Sequence, residues 1–137
     1  MSVPEGKRGE GKFEVLLKAR DLTAYTIHIC SNEKIFLPQY QTALTNDIIK
    51  ESKDIFIKCF TANNIIVKEG DEDSKYKRKE LQLQACMHCN NLLALIQIAQ
   101  QVYHLKTSRI KYWGEKTIEV RNFIRKWIES DRKRYSA

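Results

Sequence analysis

The chain has 137 residues, a net charge of +7, and only five Gly and two Pro. That length suits one domain with a real core, and scarce turn residues beside plentiful Lys, Glu, Leu, Ile, Gln and Ala point to helix. No apolar run approaches the roughly 20 residues of a membrane span. Met1–Lys12 lacks the apolar stretch of a secretory signal, so the protein is read as cytoplasmic, with no membrane partner.

Residues 1–11 carry Gly6, Gly9 and Gly11 among Lys and Glu and read as a flexible leader. Gly6 to Lys12 faintly resembles a phosphate loop, but no strand precedes it and no Ser or Thr follows Lys12, so that reading fails. A first helix is expected from about Lys12 to Ser31. One stripe runs through Phe13, Leu17, Ala24 and His28, and Leu22, Tyr25 and Ile29 lie on another side. Asn32 is expected to stop the helix in a left-handed conformation. A second helix is expected to begin at Pro38, whose fixed φ suits the first helical position. Its stripe is Leu44, Ile48, Ser52, Ile55, Cys59 and Ala62, at spacings of four and three. Ile65, Ile66 and Val67 have strand propensity but no partner strand, and read as a helix end or packed loop.

Asp71, Glu72 and Asp73 sit where a third helix would start and complement its positive end. That helix sets the architecture, with Ala85, Cys89, Leu92, Ile96, Ala99 and Tyr103 in one stripe and Leu95, Ile98, Val102 and Leu105 in another. Two apolar faces suit either a broad core face or a helix that also packs against a second copy. The interface residues expected on the second reading are Leu95, Ile98, Val102 and Leu105, with Leu22, Tyr25 and Ile29. Thr107 or Ser108 is the expected cap of a fourth helix, Arg109 to Asp131, whose buried side is Ile110, Trp113, Val120, Ile124, Trp127 and Ile128. Residues 132–137 read as a frayed basic tail. The fold class is therefore all-α: residues 12–131 form an antiparallel up-down-up-down four-helix bundle.

From Lys106 onward ten Lys and Arg stand against four acids, so this part holds +6 of the excess charge. Such a surface attracts polyanions, or merely solubilises an exposed helix face. Two candidate nucleic-acid patches follow: Lys75, Lys77, Arg78 and Lys79 in one, and Arg121, Arg125, Lys126, Arg132, Lys133 and Arg134 in the other.

Catalytic patterns are absent. Cys86-Met87-His88-Cys89 has zinc-like spacing, but a closed site needs about four ligands, and Cys30 and Cys59 have no near partner in sequence. Cysteines on a packing stripe act as small hydrophobes. His28 lies on an expected packing stripe and reads as a core residue, while His88 and His104 read as exposed or terminal. Neither a nucleophile triad nor a dinucleotide fingerprint is present. No cofactor, metal or catalytic residue is expected.

In order and spacing, a set of residues resembles a known family. They are Phe36-Leu37-Pro38, then Leu44-Thr45 and Ile48, then Thr61-Ala62-Asn63. Arg78, Leu81 and Ala85 follow, then Leu92-Leu93-Ala94-Leu95 and Ala99, and Trp127-Ile128 before basic residues. The set is similar to the accessory variability determinant (Avd) proteins of diversity-generating retroelements, over roughly Phe13 to Arg134. The family's Phe-Pro is interrupted here by Leu37, and Gln39 and Tyr40 stand where a basic residue is common. Arg121 to Lys126 replaces a glycine-rich approach to the last tryptophan. A sister family, the four-helix proteins encoded in ribosomal-RNA intervening sequences, is the alternative. Its Asn-Ile-Ala-Glu-Gly stretch is missing, and Ala62-Asn63-Asn64-Ile65-Ile66 stands there instead. The Avd resemblance implies a ring-like homopentamer of basic bundles. It also implies binding to a reverse transcriptase and to template RNA or DNA, with the catalytic carboxylates and metal held by the polymerase.

Overall fold

The computed structural model describes the backbone of residues 5–136 and the side chains of residues 14–136. Four helices account for most of the described residues, and no strand occurs among them. Helix α1 is Glu5–Cys30, α2 is Asn46–Asn64, α3 is Glu72–Tyr103 and α4 is Thr107–Tyr135. The molecule is a helical bundle. Helix α1 begins earlier than the expected Lys12, with residues 5–11 of the expected leader continuous with it. Residues 1–4 of that leader, Ala137 of the tail and the side chain of Phe13 lie outside the described residues. The basic segment after Asp131 does not fray at once but continues α4 to Tyr135.

Helix α1 buries Val15, Ala19, Leu22, Thr26 and Cys30. This corrects the expected stripe: Ala24 and His28 face solvent, and His28 is not a core histidine. Small side chains let α1 and α2 approach closely. The Thr23 hydroxyl shares its one hydrogen between Ala19 O at 3.0 Å and Ser52 O of α2 at 2.7 Å. Asn32 stops α1 by a different device from the expected left-handed turn. Its side-chain oxygen accepts from Lys34 N at 3.1 Å and its carbonyl from Phe36 N at 2.8 Å. That turn folds Phe36 into the core against Tyr103, ring centroids 4.9 Å apart.

Pro38 opens a single 3-10 turn, Pro38–Tyr40, followed by a wide π turn, Gln41–Thr45, that runs into α2. All six stripe residues of α2, from Leu44 to Ala62, are buried, as are all six of the first α3 stripe, from Ala85 to Tyr103. Residues 65–67 form an extended, partly packed loop. Gly70 takes φ +79, and Asp71 then caps α3, accepting from Ser74 N at 3.1 Å. His104, at φ 52, is the residue that ends a helix left-handed. The residue capping α4 is Lys106, which has no side-chain cap bond, rather than Thr107 or Ser108.

Polar contacts fix the register. The Trp113 indole donates to the Thr26 hydroxyl at 3.1 Å, and Lys18 pairs with Glu119 at 2.8 Å, joining α1 to α4. The Thr45 and Tyr103 hydroxyls meet at 2.6 Å and His88 meets Glu51 at 2.5 Å, joining α2 and the turn before it to α3. Arg78 and Asp131 meet at 2.6 Å, and Arg121 and Asn90 at 2.7 Å, joining α3 to α4.

Candidate nucleic-acid interface and its neighbours

The ten basic residues singled out in the sequence do not behave alike. Arg78 is only 4 % exposed, and its guanidinium bonds Asp131 through Nε at 2.6 Å and Nη2 at 3.3 Å, and Ile65 O through Nη1 at 3.1 Å. It lies 5.2 Å from the Trp127 ring centroid, and Gln82 donates to the same Asp131 at 2.8 Å. A side chain so enclosed cannot reach a phosphate, so Arg78 is removed from the expected patch. It locks the end of α4 to α3 instead.

Lys75 and Lys77 lie 3.8 Å and 3.3 Å from Glu72 and Asp73, and Arg132 forks onto Glu129 on its own helix. These exposed pairs are weak and open to exchange for a phosphate. Arg121 is half-buried against Asn90, while Lys79, Arg125, Lys126, Lys133 and Arg134 are exposed. At 100° per residue, Arg121, Arg125 and Arg132 share the α4 flank that faces α3. Lys126 lies over the Phe123 ring, toward α1. Lys75, Lys79 and Arg132 line one hollow above the Arg78–Asp131 pair, so helix packing joins the two patches that are separate in sequence.

The expected interface residues also divide. Leu22 is fully buried and Leu105 nearly so, so both belong to the core of this chain and are removed from the interface. Tyr25, Ile29, Leu95 and Val102 are half-buried and packed against that core. Ile98 is half exposed, and it lies on an outward strip with Leu83, Met87 and Ala94 that the stripe pattern does not single out. A signal is nevertheless present: residues 81–103 contain no Asp, Glu, Lys or Arg, although 30% of the chain is charged.

Cys86 and Cys89, which give the zinc-like spacing, lie on the buried side of α3. All four cysteines are free and buried. Burial pushes the Cys30 and Cys59 thiols up to about 12, and raises Cys86 and Cys89 as well. Such thiols are poor nucleophiles and poor ligands. Among the described residues, the group able to hold a metal is Glu51, Asp54 and His88, whose ligand atoms lie within 4.8 Å of one another. Each already has a partner, through the His88–Glu51 contact and the 2.8 Å pair of Lys50 with Asp54.

A second hollow opens where the link after α1 meets the link between α3 and α4. It is about 930 Å³ in volume, with Lys34, Lys106, Arg109 and two histidines on a wall of Tyr, Phe and Ile. Of its lining, the sequence marks Tyr25, Ile29 and Leu105 alone as candidate site residues.

No family model, curated protein or solved structure matches the chain. Among the described residues, no helix is long and apolar enough to cross a membrane.

Proposed function

We propose that this chain is a noncatalytic accessory protein of a diversity-generating retroelement, one that binds the reverse transcriptase and template RNA or DNA and supports mutagenic copying. The bundle is taken as antiparallel, up-down-up-down. In support, contacts at 18 and 26 of α1 fall at 119 and 113 of α4, and those at 45, in the turn leading into α2, and 51 of α2 fall at 103 and 88 of α3. The assembly is taken as a homo-oligomer, a pentamer by resemblance, with the charge-free outward strip of α3 at its interface.

The observation that carries the nucleic-acid part is the α3–α4 flank, where Lys79, Arg125 and Arg132 extend a basic surface over the end of the bundle. Phosphate contacts by Lys and Arg give salt-dependent binding with little sequence preference. The test is a titration of single-stranded RNA across salt with the Lys79→Glu, Arg125→Glu and Lys133→Glu variant. These side chains are exposed, so folding is preserved. Affinity should fall, and the slope of log K against log salt should flatten by about 0.7 for each phosphate no longer neutralised. Unchanged affinity and slope would remove this flank from the proposal.

A specific observation favours a second reading, a structural oligomer of the intervening-sequence type with protein or ribosome partners only. Arg78, Arg132, Lys75 and Lys77 all have acidic partners within the chain, which leaves a smaller free basic surface than the sequence promises. Sedimentation with and without RNA separates the two, since only the first forms a complex.

A further inference from the structure

We propose that the hollow between the Asn32–Phe36 link and the start of α4 is a binding site for a phosphate-bearing nucleotide. The proposal does not rest on the retroelement reading. The hollow lies at the opposite end of α4 from Arg132, roughly 35 Å away at 1.5 Å per residue.

Its volume of about 930 Å³ is that of a small-ligand site. Three cations reach it from separate segments: Lys34 from the link after α1, Lys106 from the link before α4, and Arg109 from the first turn of α4. Among the described residues none of the three has an acidic partner. No Asp or Glu lines the hollow at all. Three cations that share one hollow with no carboxylate in its lining suit an anion from outside. A guanidinium fork and two ammonium groups suit the divalent charge and tetrahedral oxygens of a phosphate.

The remaining wall selects a ring. Tyr25 and Tyr112 stand edge to face with centroids 5.1 Å apart, and Tyr112 is 53 % exposed. The Tyr25 hydroxyl accepts from Arg109 Nη1 at 3.1 Å, so the aromatic wall and the cation are held together. Buried Phe36 forms the floor. A base or other flat ring stacks on such a surface in a sequence-tolerant way, while its phosphate meets Lys34, Lys106 and Arg109. The nucleotide has two sources, a free mononucleotide or the phosphorylated end of a strand.

The experiment is calorimetric titration of the full chain with adenosine monophosphate, adenosine, inorganic phosphate, and a short oligonucleotide with or without a 5′ phosphate. The variants are Lys34→Glu with Lys106→Glu, Tyr112→Ala, and Lys53→Glu, exposed on α2 and outside both basic patches, as a remote control. Lys34 and Lys106 are exposed and build none of the core, so their variant folds. The monophosphate should bind at least tenfold more tightly than adenosine or phosphate alone. The double Glu variant should lose at least tenfold, Tyr112→Ala should weaken the nucleotide but not phosphate, and Lys53→Glu should change nothing. Displacement of the monophosphate by the phosphorylated but not the unphosphorylated oligonucleotide assigns the strand end, and failure of both to displace it assigns the free nucleotide. No binding, or binding untouched by the double Glu variant, overturns the proposal.

Discussion

Single residues here carry more than their type suggests. Arg78 looks like one member of a basic run, yet its guanidinium is enclosed by Asp131, Gln82, Ile65 O and the Trp127 ring. The partners Arg78 and Asp131 are 53 positions apart, so no local pattern reveals the pair. Removing one partner of a buried pair leaves an uncompensated charge, which typically costs about 3–5 kcal/mol. Asp131→Ala should therefore lower unfolding free energy by about that much in a urea titration. The double variant Arg78→Met with Asp131→Leu should cost clearly less, because no charge is left stranded. The thiols give a second residue-scale prediction. Burial raises Cys59 from the usual 9.0 to about 12, so in the pH range between those values the folded state holds a proton that the unfolded state has lost. The stabilising contribution is complete below pH 9 and declines as pH rises toward 12. Wild type should accordingly lose more stability between pH 8 and pH 10.5 than Cys59→Ala does. Maleimide should label the cysteines only as the chain unfolds.

At the scale of elements, legibility depends on what fills the stripe. The first stripes of α2 and α3 are legible because the alternation of four and three runs unbroken from Leu44 to Ala62 and from Ala85 to Tyr103. Helix α1 turns a different side inward from the one its sequence suggests, because its buried phase contains Ala19, Thr26 and Cys30, which a count of large apolar residues passes over. Their smallness is what lets Thr23 reach the backbone of α2 at 2.7 Å. Helix ends are half legible. Asp71 declares itself, and the Ser74 N–H it accepts holds its carboxyl below the usual range. Its contribution is present above the ordinary Asp pKa and fades as pH falls through the lowered one. Asp71→Ala should lower the melting temperature at pH 7 and have little effect at pH 2. The start of α4 escapes the sequence because Lys106, which no cap preference selects, occupies the capping position. Lys106→Asp should stabilise the fold by about 1 kcal/mol in denaturant titrations by supplying the missing acceptor, while weakening nucleotide binding in the hollow beside it.

For the whole molecule, composition announces a basic helical chain, but only tertiary packing shows where the charge and the grease lie. Leu22 and Leu105 have the spacing of interface residues and turn inward. Leu83 and Met87 fall off the two main stripes and stand outward with Ile98, along a helix face without formal charge. The hollow near Lys34 and Arg109 is invisible in sequence because three separate segments build it. Central to the proposed function is that another copy covers this outward α3 face while the basic flank stays free for a polyanion. Sedimentation velocity of the purified chain, alone and with single-stranded RNA, tests that most directly. The expected result is a species several times the 16.1 kDa chain mass that takes up RNA, and that falls to a folded monomer when Met87 and Ile98 are both replaced by Asp. A wild-type chain that sediments as a monomer and leaves RNA unshifted would contradict it.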